Sequence, residues 1–220
     1  MTTLADLKTK IEKDAAKRDS MNGPRRSYLK VDPGESKRVR FRQELVSDGE
    51  NYDEDRDTAA ILRVHQAPSN FRVKALCTKD SEENEFHCFA CERVMDGEKG
   101  FRSRERLLIN VLALDDGDWE PFVFEQAWVG NSNIGQLLAE FTGEYGTLTD
   151  RDYKITRIGK GLDTKYSIIP LKEGDTPAED EEAEFFTVHD AVRTVPYEQQ
   201  EDFYLENESD DSGSNDSWGS

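Results

Sequence analysis

All three cysteines of this 220-residue chain fall between positions 77 and 91, and a histidine lies shortly before them. The order is His65, Cys77, Cys88 and Cys91, with eleven, ten and two residues between successive members. Three thiolates and one imidazole complete a tetrahedral shell for a single structural Zn2+ and leave no position open for substrate. The closing pair lies in Cys88-Phe89-Ala90-Cys91, the tight CxxC knuckle of zinc ribbons. The competing reading is that the cysteines are small buried hydrophobes. An odd cysteine count argues against a disulfide framework, and no signal-peptide pattern opens the chain, so a reducing cytoplasm is expected. His87 rivals His65 as fourth ligand, but it directly precedes Cys88, and both could reach one ion only with strained geometry.

These ligands must be held by strands and loop ends. The segment Lys37-Arg38-Val39-Arg40-Phe41-Arg42 alternates basic and apolar residues, which puts Val39 and Phe41 inward and Arg38, Arg40 and Arg42 outward. Strands are also expected at Tyr28–Val31, Ala59–Val64, Arg106–Leu114, Trp119–Val129, Asp152–Arg157 and Lys165–Leu171. Asp115-Asp116-Gly117-Asp118 and the glycine-bearing run Ile158–Thr164 make the turns. Trp119, Phe122, Phe124 and Trp128 read as core. Helices are expected over 3–18, over Asn131–Phe141 and around Phe185–Val192. Short strands with one late helix suggest a mainly β chain built on a five-stranded Greek-key barrel of the oligonucleotide-binding type, with the metal subdomain inserted at about 65–104.

Charge is unevenly spread. The net charge is −18, and residues 173–220 carry 16 acids against Arg193 alone. Residues 24–42, 63–79 and 151–172 are each net positive, so a fold that gathers them would make a phosphate-binding surface. Residues 197–220 hold eight acids and no base among Ser, Gly and Asn, a composition that does not order itself. No apolar run approaches the ~18 residues of a membrane span.

Several stretches resemble the helix-destabilising single-stranded-DNA-binding proteins of T-even-type tailed phages. They are Tyr28-Leu29-Lys30-Val31, Arg38-Val39-Arg40-Phe41, the His65/Cys77/Cys88/Cys91 spacing, the run from Tyr145 to Arg157 and its continuation Gly159 to Ser167. The similarity spans roughly residues 25–172, with an acidic tail in the matching place. It implies an oligonucleotide-binding core over 25–172 and a zinc subdomain. It also implies an N-terminal arm over 1–24 for cooperative self-association, and a tail over 173–220 that recruits replication and recombination proteins. The location implied is the cytoplasm of the host bacterium, and the work is DNA replication, recombination and repair. The arm departs from the family pattern: only Lys17-Arg18-Asp19-Ser20 approximates its basic-hydroxyl motif, and Asp19 interrupts it.

Single-strand binding needs cations along the backbone and flat side chains for bases. The candidates for phosphate contact are Arg38, Arg40, Arg63, Arg72, Lys74, Arg102, Arg104, Arg157 and Lys160. Those for stacking are Phe71, Phe89, Phe101 and Tyr166. In the tail, Asp210, Asp211, Asp216 and Trp218 are candidates for partner contact. An enzyme is not expected. Catalytic zinc keeps an open position, and base deaminases carry His-x-Glu with Pro-Cys-x-x-Cys, whereas here Gln66-Ala67 follows His65 and Phe86-His87 precedes Cys88. The alternative is a zinc-containing protein-interaction adaptor that does not bind DNA.

Overall fold

The computed structural model describes residues 28–56, 59–70, 73–81, 85–128, 134–172, 185–187 and 191–205. The helix expected over 3–18, the interrupted basic motif, Phe71, Arg72, Asp210, Asp211, Asp216 and Trp218 lie outside them.

The organising element is β4 (Arg104–Asp115), a twelve-residue strand. The hairpin to β5 (Asp118–Ala127) closes through Asp116 and Gly117, at φ 47° and 102°. Positive φ at both central residues is what a two-residue loop needs to follow the twist of the flanking strands. β5 runs along one edge of β4. The other edge is shared: β2 (Ala60–Gln66) pairs with its first half and β1 (Ser36–Phe41) with its second. β3 (Lys74–Leu76) extends the sheet beyond β2, while β6 (Asp152–Ile158) and β7 (Lys165–Pro170) extend it beyond β1. The result is an open antiparallel sheet of seven strands. The Tyr28–Val31 segment forms no strand; it adds one bridge from Tyr28 to Val123.

Asn110 sits where β1 and β2 part. Its backbone N–H donates to Gln43 Oε1 (2.8 Å), and its carbonyl accepts from Arg42 N (3.0 Å). Its side chain bonds the backbone of Phe186 on both sides, at 2.7 and 3.0 Å. A buried amide thus supplies the partners that neither neighbouring strand offers at the fork.

Both faces of β4 are covered, which explains why residues 107–114 are apolar on both faces apart from Asn110. On one face Leu107, Ile109, Val111 and Ala113 join Val39, Phe41, Phe124, Tyr153 and Ile155 under α2 (Ile134–Tyr145), whose Ile134 and Leu138 are buried there. α2 runs on to Tyr145, past the end expected at Phe141. Trp128 lies so close to Gly135 that a Cβ there would meet its ring at 2.1 Å. On the other face Leu108 and Val123 meet Val64, Ala191 and Val192, with Phe186 alongside. Residues 185–187 and 191–205 therefore pack on the body. Tyr197–Leu205, expected to remain unordered, is a helix, because Phe203 and Tyr204 find apolar partners on the body that their own segment lacks. Among the described residues no helix is long and apolar enough to cross a membrane.

The basic alternation of β1 holds in direction: Val39 and Phe41 are core and Arg38 and Arg40 face the other way. That far side is not solvent at Arg40, which is 6% exposed and paired at 2.6 Å with Asp152, itself 2% exposed. The two residues are opposite each other in the β1–β6 register. Arg38 binds the same carboxylate at 2.5 Å while lying 5.9 Å from the Trp119 ring. Arg40 is therefore a structural cation, contrary to its expected role at phosphate. Removing one member of a buried pair strands the other, so Asp152→Asn should cost about 3–5 kcal/mol. A lower urea midpoint at unchanged slope is the expected reading; an unchanged midpoint would refute the assignment.

Candidate metal centre and its cationic surroundings

His65 lies at the end of β2, opposite Ala75 of β3, and Cys77 follows β3 directly. Cys88 is the extended N-cap residue of α1 (Phe89–Met95), and Cys91 sits in its first turn. One donor atom from each of the four lies within 4.8 Å of every other. Cys77 and Cys91 sulfurs are 3.6 Å apart, and Cys91 Sγ is 3.3 Å from His65 Nε2. Zn–S bonds of about 2.3 Å in a tetrahedron put sulfurs about 3.8 Å apart, so the group can hold a metal ion and is compatible with a structural zinc. His65 Nδ1 lies 2.5 Å from the Phe101 carbonyl. That bond puts the proton on Nδ1 and leaves the Nε2 lone pair facing the sulfurs, as metal-bound histidines are commonly oriented. His87 is excluded from the group: it is exposed and its Nδ1 faces Glu92 at 3.4 Å.

The electrostatics point the same way. The hydrogen bond from the Cys77 thiol, opposed by burial and aided by His65, holds Cys88 well below the ordinary thiol range. That same hydrogen bond to Cys88 and then burial push Cys77 up, and burial foremost pushes Cys91 up. Hydrogen bonding and burial thus favour the thiolate at Cys88 over the other two; a bound divalent ion would favour the thiolate at all three.

The knuckle aromatics are core rather than platforms. Phe89 and Phe101, expected to stack on bases, are buried against Tyr204 of the C-terminal helix α3 (Tyr197–Leu205), with ring centroids 6.5 and 6.0 Å away. Tyr166 is half-buried, packed edge-on to Phe124 at 6.4 Å.

The expected phosphate contacts divide. Lys74 is tied to Glu125, which Arg106 also binds at 3.0 Å. Arg157 spans Val31 O (3.2 Å) and Thr164 Oγ1 (3.4 Å) and is half-buried. Arg63 is half-exposed beside the exposed Asp80 at 3.5 Å. Arg102, Arg104 and Lys160 are exposed and have no ion-pair partner among the described residues. The strand registers put Arg38 and Arg104 on the face of Leu108, and Arg63 and Arg157 on the opposite face, with Tyr166. The sheet therefore does not collect all the candidates on one side; Arg102 and Arg104 adjoin the metal group through Phe101, and Arg63 adjoins it through its carbonyl, which accepts Cys77 N at 2.8 Å.

No family model, curated protein or solved structure matches this chain.

The Glu125 cluster has a pH signature. Burial alone would raise the Glu125 carboxyl, but Lys74 and Arg106 outweigh it and hold it below the ordinary range. A depressed folded value contributes stability above the unfolded carboxylate pKa of about 4.3 that is lost as pH falls through the folded value. Lys74→Met should move the acid-unfolding midpoint to higher pH and change stability least below pH ~3; a parallel loss at all pH values would contradict this.

Proposed function

We propose that this chain is a sequence-independent single-stranded-DNA-binding protein whose four-ligand group holds one structural zinc. The observation that carries the reading is the contrast among its cations. Those inside the sheet, Arg40, Lys74 and Arg106, are neutralised by Asp152 and Glu125. Exposed Arg102 and Arg104, next to the metal group, and Lys154, Lys160 and Lys165, on β6, β7 and the loop joining them, have no acid partner among the described residues. Unneutralised exposed cations on rigid strand ends suit a phosphate backbone and add a salt-dependent term without reading sequence. The fork of β1 and β2 from one edge of β4 supports a partly open oligonucleotide-binding barrel. Of the four aromatics expected to stack, Tyr166 is the described one that is not fully buried, and stacking is worth about 1–3 kcal/mol per base.

Zinc supplies structure, not chemistry: four protein ligands leave it no open position. Its residues would be His65, Cys77, Cys88 and Cys91. The acidic tail would recruit replication and recombination proteins and compete with DNA for the cationic surface. The resemblance to phage proteins supplies the replication, recombination and repair setting.

Oligo-dT titration against duplex of equal length tests the reading. Single strands should bind preferentially, and the Arg102→Ala/Arg104→Ala pair should flatten the log–log salt dependence by about 1.4, at roughly 0.7 per phosphate contact. A chain that binds no oligo-dT at low salt, even without its tail, would instead be the interaction adaptor. Metal analysis should find one zinc per chain, and none in Cys91→Ala.

Deletion of the tail should be made after Leu205, because α3 belongs to the body. That truncation should tighten oligo-dT binding at low salt and have little effect at high salt. Unchanged affinity at low salt would remove the tail from the binding equilibrium.

A further inference from the structure

The metal ligands span residues 65–91, but the shell behind them comes from much later in the chain. Gln200 lies on α3 and is 2% exposed. Its Oε1 accepts the backbone N–H of Phe89 at 3.0 Å. Its Nε2 donates to Thr78 Oγ1 and to the Val195 carbonyl, both at 2.8 Å. Thr78 Oγ1 in turn donates to the His87 carbonyl at 2.6 Å. Thr78 follows Cys77, and Phe89 follows Cys88. One buried amide therefore joins the two chain segments that carry those thiols.

The chemistry of each bond argues for positioning. Phe89 N opens α1, and Cys88 provides no side-chain cap for that helix. An uncapped buried N–H is costly, so a partner from elsewhere is required. Gln200 fills that need and uses its two N–H donors on the Cys77 side and on its own segment. Around it, Tyr204 lies parallel to Phe89 at 13°, and Tyr197 Oη donates to Glu92 at 2.8 Å. Leu76 N, one residue before Cys77, donates to the Arg193 carbonyl at 2.9 Å. Segment 191–205 thus touches the subdomain beside Cys77, beside Cys88 and on the helix that carries Cys91.

We propose that Gln200 is a positioning residue for the metal centre, so that metal retention and docking of segment 191–205 are coupled. The inference rests on the reading that the four ligands hold zinc. The coupling is reciprocal, as linkage requires: whatever docked α3 adds to metal affinity, bound metal adds to the docking of α3. Metal-free protein would then release the helix from which the acidic tail continues.

The test uses the full chain loaded with zinc. Gln200→Leu removes all three hydrogen bonds and keeps the apolar bulk. Gln200→Glu keeps the acceptor for Phe89 N and loses both donors. Phe203→Ala, a packing variant of the same helix, is the stability control. Supporting groups behind metal ligands are worth about 10–100-fold in metal affinity. Gln200→Leu should lose zinc to a chromogenic chelator about 10–100-fold faster than wild type, and Gln200→Glu should fall between. In the Co2+-loaded proteins the thiolate-to-cobalt and d–d bands should shift in both Gln200 variants and stay in place in Phe203→Ala. Stripping metal from wild type should speed amide exchange across 197–205. Equal zinc loss in Gln200→Leu and in Phe203→Ala with unshifted cobalt bands would overturn the positioning role and leave the zinc reading intact. Absence of zinc from the wild-type chain would overturn both.

Discussion

Three thiols and an imidazole forced into one buried pocket are the constraint on which the inserted subdomain turns. Hydrogen bonding among the thiols stabilises a single negative charge, on Cys88, and pushes Cys77 toward the protonated form, while burial foremost does the same to Cys91. A divalent cation held by the four residues would resolve that conflict, and its geometry would then dictate where β2, β3 and α1 meet. The apolar material nearby, Ala75, Ala90, Phe89 and Phe101, is too little to fix those elements alone. The rest of the subdomain is arranged to support the ligands: Phe101 orients the histidine through its carbonyl, and the C-terminal helix closes the core from outside.

The sheet follows a different logic. Its stability rests on a strand enclosed on both faces and on cations gathered two to a carboxylate. Arg40 with Asp152, and Lys74 with Arg106 on Glu125, are arrangements in which a charge is buried only beside its opposite. The consequence for function is a sorting of positive charge into structural and available groups. Counting bases along the chain does not reveal this sorting; register does, because it decides which residue stands across from each arginine.

Legibility in the sequence tracked the range of the interaction. The ligand set was readable, because side-chain chemistry and short spacing alone specify it. The β4–β5 hairpin was readable too, since Asp116-Gly117 must adopt left-handed backbone and apolar runs flank it. Arg40 was placed on the correct side of its strand yet assigned to solvent, because nothing local says that Asp152 lies opposite. Phe89 and Phe101 were read as free aromatics, because Tyr204, their partner, is more than a hundred positions away. Gln200 carried no signal on its own. The combination of Pro196 with Tyr197, Phe203 and Tyr204 inside an acidic stretch was the available hint that this part of the tail folds.

The bonds of Gln200 bridge separations of 111 and 122 residues. Long-range closure of this kind is slow, since the intervening chain must surrender its freedom before the contact forms. During synthesis, residues 65–91 leave the ribosome well before their support does. The four candidate ligands could therefore gather early into a loose, exchangeable chelate, whereas a fully braced centre would have to wait until Gln200 has emerged.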